Sequence, residues 1–256
     1  MIPLFSPAGR AALARLADAR TILAFDFDGT LAPIVAARDA AGMPIALRQS
    51  LQALAARTPV AVISGRALAD LTPRIPDGLL AIGNHGIEGS FAPPRAATTA
   101  REICRTWLHQ LRGFAGPVEI DDKGCSLSLH GEPALLAAAR SVVAALAPAP
   151  LLIAGKDVLN VIPPGMPDKG DALAALIAGT GATQALYVGD DDNDEPAFAR
   201  GNDRVLTVRI RPSERSAAAF WLDDSHAMRQ LIDELLALIP PSRTAGQGPL
   251  MPGTMT

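Results

Sequence analysis

Two aspartates, Asp26 and Asp28, follow the apolar run Ile22-Leu23-Ala24-Phe25 and precede Gly29 and Thr30. Residues i and i+2 of an extended chain project to one side, so both carboxylates face the same space. Such a pair can divide labour: one attacks an electrophile while the other shuttles a proton. Their mutual repulsion calls for a cation. A second acidic cluster, Gly189-Asp190-Asp191-Asp192-Asn193-Asp194-Glu195, follows the apolar run Ala185-Leu186-Tyr187-Val188. Oxygen-only ligands suit a hard divalent ion, most naturally Mg²⁺. Neither cluster is an EF-hand: Glu195 stands where that loop needs glycine, and Gly29 comes too early after Asp26.

Lys169 lies in Pro167-Asp168-Lys169-Gly170-Asp171, with Asp168 placed to cap a helix. A lysine at a helix start opposes the dipole, a placement that makes sense with an anion in front of it. Ser64-Gly65-Arg66, after Val60-Ala61-Val62-Ile63, offers a hydroxyl and backbone N–H groups at another strand end. Arg66 and His85 are further candidates for the substrate side, against the plainer readings of a surface ion pair and a structural histidine. A carboxylate approaching a phosphate monoester meets repulsion of roughly 4 kcal/mol per unit charge pair at about 4 Å and an effective dielectric near 20. One Mg²⁺ and one ammonium offset that repulsion, so the inventory fits phosphoryl transfer to aspartate.

Positioning these groups requires strands that end together. Short apolar runs ending at Phe25, Ile63, Ile82 and Val188 alternate with helical periodicity over residues 45–57, 169–178 and 228–239. Near-continuous apolar runs predict an α/β protein whose parallel sheet is covered by helices on both faces. Ligands of such sheets sit beyond the carboxyl ends of the strands. Residues 90–164 read differently: a helical run (98–111) precedes strand-like 118–120 and 125–130, and a second (132–146) precedes 151–153 and 158–162. The expected organisation is a discontinuous core of residues 1–89 and 165–240, an inserted α+β cap over 90–164, and a disordered Pro/Gly/Ser/Thr-rich tail over 241–256.

Composition narrows the class further. The 256 residues are 49% hydrophobic and carry a net charge of -3, enough for a large core and no basic field for nucleic acid or anionic lipid. The two cysteines, Cys104 and Cys125, cannot form a disulfide scaffold and are read as reduced thiols. The expectation is a cytoplasmic monomer acting on a small molecule, with no membrane or nucleic-acid partner.

Four elements together resemble the haloacid dehalogenase superfamily: Asp-x-Asp-Gly-Thr, the strand-end Ser64, Lys169 and the Gly-Asp-Asp-x-x-Asp loop. The stretches Asp26 to Ile34, Ile63-Ser64-Gly65-Arg66, Gly83-Asn84-His85-Gly86-Ile87-Glu88 and Tyr187-Val188-Gly189-Asp190-Asp191 resemble the trehalose-6-phosphate phosphatase family within it. The resemblance implies a Rossmann-like core with a mobile cap. It implies Asp26 as nucleophile, Asp28 as general acid/base, and Thr30, Ser64, Gly65 and Lys169 around the phosphate. It also implies Mg²⁺ on Asp26, Asp28 and Asp190, with Asp191 or Asp194 close by, and Lys123 and His130 on the sugar. In the cap the chain departs from the family. It has Asp121-Asp122-Lys123-Gly124 for Glu-Asp-Lys-Gly, His130-Gly131-Glu132 for His-Tyr-Arg, and Asn160-Val161-Ile162-Pro163 for Glu-x-Arg-Pro. A phosphatase for another sugar phosphate, such as a glycosyl-glycerate phosphate, and a non-enzymatic phosphosugar sensor are the alternatives. Tyr187 reads as strand filler.

Overall fold

Alternating apolar and amphipathic runs fold into a sheet buried on both faces. The computed structural model describes residues 1–17, 20–35, 42–111, 118–155 and 157–241. The chain runs β1 (Ile2–Pro3), α1 (Pro7–Ala14), β2 (Thr21–Phe25), α2 (Ile45–Ala55), β3 (Val60–Ile63), α3 (Leu68–Leu71), β4 (Leu80–Gly83) and β5 (Glu88–Gly89). It continues through α4 (Ala96–Gln110), β6 (Glu119–Asp122), β7 (Leu127–His130), α5 (Pro133–Ala144), β8 (Leu151–Gly155) and β9 (Val158–Ile162). It ends with α6 (Lys169–Thr180), β10 (Gln184–Gly189), α7 (Glu195–Phe198), β11 (Val205–Ile210), β12 (Phe220–Leu222) and α8 (Ala227–Leu238).

The large sheet has the order β1-β12-β11-β10-β2-β3-β4-β5, parallel except for β5. From β2 the chain builds outward through β3 and β4, then returns at β10 on the other side of β2. The strand order therefore reverses between β2 and β10, where an open parallel sheet forms its crevice. Alternate residues serve the two faces. Leu23, Phe25, Val62, Leu186 and Val208 pack with Leu13, Leu51, Leu231 and Leu235 of α1, α2 and α8. Ile22, Ala24, Ile63, Ala185 and Tyr187 pack with Leu173 and Leu176 of α6. A one-residue slip of β2 would exchange these two sets and turn Asp26 away from the crevice.

Between β5 and α6 lies an antiparallel sheet of order β6-β7-β9-β8. Leu127, Leu129, Leu159 and Val161 pack on Trp107 of α4 and on Ala139 and Val143 of α5, forming a core of their own. The opposite face carries a cross-strand row of Asp121, Ser128, Asn160 and Ile153.

Some expectations need correction. The strand expected over 118–120 runs instead over Glu119–Asp122, and Cys125 lies in the turn rather than in β7. That turn closes with the Lys123 N–H on the Ser126 carbonyl, which shifts both strand limits. The strands β1, β5, β11 and β12 have no counterpart among the sequence expectations. The first two have two residues each, and β11 (VLTVRI) breaks its apolar run with a threonine and an arginine. The tail from residue 242 onward lies outside the described residues. No helix among the described residues is long and apolar enough to cross a membrane.

Candidate active site

Asp26 and Asp190 stand just beyond the carboxyl ends of the adjacent strands β2 and β10, with the Asp26 N–H donating to the Val188 carbonyl at 2.8 Å. Closeness of the two loops is built into the backbone. Gly29 has φ +85°, and a Cβ there would lie 2.2 Å from Asp190 Oδ2. Only glycine serves both the left-handed conformation and the approach of that carboxylate. Lys169 opens α6 behind Asp168, whose carboxylate accepts from Asp171 N–H at 2.9 Å in a capping box.

The Lys169 side chain is 1% exposed, and its Nζ donates to Asp26 Oδ1 and to Asp194 Oδ1, both at 2.6 Å. These two carboxylates are the anions that a lysine at a helix start requires, and they hold the ammonium strongly charged despite its burial. Asp194 is the most fully bound carboxylate of the site. Its Oδ1 also accepts from the Tyr187 hydroxyl at 2.6 Å, and its Oδ2 accepts from the N–H groups of Asp190 and Asp191 at 2.9 and 3.0 Å. Four donors fill its acceptor positions. Tyr187 is therefore not strand filler but a donor that anchors Asp194. Tyr187→Phe removes that donor from a buried acceptor and is expected to cost about 1–3 kcal/mol of stability, measured by chemical denaturation.

Asp26, Asp190 and Asp194 bring ligand oxygens within 4.8 Å of one another. Burial pushes the Asp26 carboxyl well above the ordinary carboxylate range, although Lys169 opposes the shift. Asp190 is raised to about 7, first by burial and then by Asp194 and Asp191. Crowded hard-oxygen donors that resist ionisation are what a divalent cation relieves, so the donor set fits Mg²⁺. With a folded-state value above the unfolded one, Asp190 keeps its proton longer in the native protein. Its contribution to stability is present below the ordinary carboxylate range and is lost as pH rises towards about 7. A divalent ion held there would compete with that proton, so any thermal stabilisation by added Mg²⁺ should be larger near about pH 8 than near about pH 5, checked by melting with and without chelator.

The remaining expected residues divide. Thr30 is buried, and its Oγ1 has no hydrogen-bond partner, as expected of a hydroxyl that meets a ligand. Ser64 is buried at the end of β3, its Oγ accepting from Arg66 N–H at 3.2 Å. A Cβ on Gly65 would meet the His85 ring at 2.5 Å, so glycine lets the imidazole lie against this loop. His85 is buried, neither ring nitrogen has a hydrogen-bond partner, and burial with Lys169 and Lys123 nearby keeps the ring neutral. Lys123 reaches from the β6–β7 turn, its Nζ donating to the Gly65 carbonyl at 3.2 Å. His130 lies at the far end of β7, opposite Glu119 and Val158.

Asp28 points towards Arg66, not into the carboxylate cluster. The guanidinium holds it through Nε–Oδ2 and Nη2–Oδ1, both 2.7 Å, while Nη1 holds Asp70 at 2.7 Å. Arg66 also lies over the Phe27 ring at 5.4 Å. Asp191 turns into its own loop, accepting from Asp192 N–H and Asn193 Nδ2, and caps the turn 192–194. Two arginines of the site are absent from the sequence expectations. Arg209 is buried and donates to the Asp191 carbonyl at 3.1 Å and Glu195 Oε1 at 2.8 Å, and Arg211 holds Asp190 Oδ2 at 3.0 Å. A single arginine inside the run VLTVRI was the available signal, because a buried guanidinium needs carboxylates.

A sheet reversing at β2 and β10, strand-end carboxylates, a buried lysine and an inserted second sheet define the haloacid dehalogenase class of α/β fold. Comparison narrows the class. A family model described as trehalose-phosphatase matches residues 24–225. The trehalose-phosphate phosphatase of Mycobacterium tuberculosis is 32% identical over 234 residues, covering 82% of this chain and 60% of that protein. The C. albicans trehalose-6-phosphate phosphatase C-terminal domain superposes with a TM-score of 0.72 at 20% identity, over 90% of this chain and 97% of that one. A trehalose-6-phosphate phosphatase related protein gives 0.70 at 22% identity, over 85% and 97%. The chain belongs to the trehalose-phosphatase family. It spans about three-fifths of the length of the mycobacterial relative, of which the alignment covers 60%.

Proposed function

We propose that this protein is a Mg²⁺-dependent phosphatase that hydrolyses trehalose 6-phosphate to trehalose and phosphate through an aspartyl-phosphate on Asp26. The observation that carries the reading is the buried contact of Lys169 with Asp26 and Asp194 at the reversal of the sheet. Asp26 attacks phosphorus, the bond to the sugar oxygen breaks, and protonated Asp28 gives its proton to the leaving oxygen. Asp28 then takes a proton from water, which attacks phosphorus and releases phosphate and free Asp26. To do so, the Asp28 carboxylate must leave part of its fork with Arg66.

Thr30, Ser64, the Gly65 backbone and Lys169 would hold the phosphate, with Arg66 and His85 beside them. Asp26, the Asp28 carbonyl and Asp190 would hold Mg²⁺, which supplies Lewis-acid charge neutralisation. Asp194, with its oxygens already bound, would orient Lys169 and the acidic loop, and Asp191 would cap that loop. Residues 90–164 would form the cap over a core of 1–89 and 165–240, with Lys123 reaching both the phosphate loop and the sugar, and His130 and the polar row Asp121-Ser128-Asn160 facing the sugar. We expect a cytoplasmic monomer without nucleic-acid or membrane partners. Its two cysteines are free and buried.

One observation favours a second reading, a different sugar phosphate. In that row Ser128 Oγ donates to Asn160 Oδ1 at 2.7 Å, so an acceptor is spent inside the protein rather than on a sugar hydroxyl. A phosphate-release panel decides between them. Trehalose 6-phosphate should be the best substrate, with activity lost to chelator and restored by Mg²⁺. A higher kcat/KM for a glycosyl-glycerate phosphate would move the assignment to the second reading. Slow turnover with a long-lived acyl phosphate would indicate a sensor.

A further inference from the structure

One amide ties the second sheet to the phosphate loop. Asn84 is fully buried and has φ 48°, a left-handed conformation that asparagine tolerates better than most residues. Its backbone N–H donates to the Arg66 carbonyl at 2.7 Å. Its Nδ2 donates to Glu88 Oε2 at 2.7 Å and to the Lys123 carbonyl at 3.2 Å, and its Oδ1 accepts from Ser126 Oγ at 2.6 Å. Arg66, in the loop after β3, and Glu88, in β5, belong to the large sheet's unit, whereas Lys123 and Ser126 lie in the β6–β7 turn. Glu88 repeats the crossing: Oε1 accepts from Arg101 of α4 at 2.6 Å, and Oε2 also accepts from Leu68 N–H at 3.1 Å.

We propose that Asn84 is a positioning residue that seats the β6–β7 turn on the phosphate loop and thereby places the Lys123 ammonium beside the bound phosphate. The proposal rests on the phosphatase reading and adds to it how the second cation arrives. Asn84 grips the backbone of Lys123 while Lys123 Nζ rests on the Gly65 carbonyl. That carbonyl is a neutral acceptor, and a phosphate dianion at the same loop is a stronger partner for an ammonium. The Asn84 amide is fully satisfied only when both units meet, because parting them leaves its bond to Glu88 but strands one Nδ2 hydrogen and the Oδ1 acceptor until water reaches them. The turn is therefore held in one seated position rather than sliding over the site.

The test is a double-mutant cycle. Asn84→Asp keeps the size and the left-handed tolerance but sets a carboxylate oxygen against Glu88 and the Lys123 carbonyl. It should lower kcat/KM by about 10–100-fold, mainly through KM, and Lys123→Met should give a similar loss. The double variant should be no worse than the weaker single by more than about threefold, because both act on one contact. Losses that multiply would overturn the proposal. Ser126→Ala, a milder removal of one Asn84 partner, serves if Asn84→Asp does not fold, and its loss should vanish in the Lys123→Met background. Running the cycle on p-nitrophenyl phosphate as well as trehalose 6-phosphate separates the two ideas. Failure of the wild type on the sugar ester removes the substrate reading alone, and the aryl ester still decides Asn84. Amide hydrogen exchange over residues 123–126 should quicken in Asn84→Asp, and unchanged exchange would also overturn the proposal.

Discussion

Asparagine in place of Asp26 is expected to reduce turnover by about 10⁴-fold or more while leaving the fold intact. Loss of activity follows from loss of the attacking oxygen. Intact folding follows from the site's electrostatics. Burial makes the charged Asp26 less favourable in the native state than in the unfolded chain, and the Asp194 and Asp190 carboxylates add to that cost even though Lys169 opposes it. A carboxyl whose folded value is raised favours the native state only while protonated, so at neutral pH the ionised group is a liability. A neutral amide removes that liability, and Lys169 keeps its bond to Asp194. Denaturation midpoints should therefore match or exceed the parent's. Coincident loss of activity and melting temperature would instead mean that Asp26 holds the fold together.

Lys169→Met should fail in the opposite way, in structure as well as in chemistry. Lys169 is the shared counterion of Asp26 and Asp194, both buried. Removing one partner of a buried ion pair costs about 3–5 kcal/mol. At this chain length that corresponds to a fall of roughly 6–20 °C in melting temperature. The raised Lys169 contributes its stability throughout the range below the ordinary lysine value, so the deficit should be present at neutral pH. It should shrink in acid, where the stranded Asp26, already raised by burial, takes up a proton. Adding Asp26→Asn to Lys169→Met should restore part of the lost stability, since one unpaired charge disappears. A Lys169→Met protein as stable as the parent would show that the triad is not electrostatically coupled.

That the strand-end acids meet at one edge of the sheet was largely legible in the sequence, because the strand-end residues are marked twice. The apolar run before Asp26 and the one before Asp190 give strand context, and each run ends in acid. Lys169 was legible as an ammonium at a capped helix start in need of an anion. That its first anions are Asp26 and Asp194, which come from two other strand ends, is a fact of topology that no local pattern contains. Tyr187 escaped for a related reason: in a strand buried on both faces an aromatic residue reads as filling, and only the carboxylate of Asp194, from the turn after β10, gives its hydroxyl an acceptor. Arg66 and Asp28 lie 38 positions apart, so their fork could not be read from either motif. The polar row Asp121-Ser128-Asn160 emerges only from the antiparallel register of β6, β7 and β9.

Hydrolysis by the proposed route requires that Asp26 become phosphorylated during turnover. The most direct measurement is to quench the enzyme during turnover with Mg²⁺ and trehalose 6-phosphate, reduce acyl phosphates with borohydride, and map the modified residue by peptide mass spectrometry. Homoserine should appear at position 26 and nowhere else, and it should disappear when substrate or Mg²⁺ is omitted. Vigorous phosphate release with position 26 unmodified, or reduction at Asp28 or Asp190 instead, would show that Asp26 is not the nucleophile.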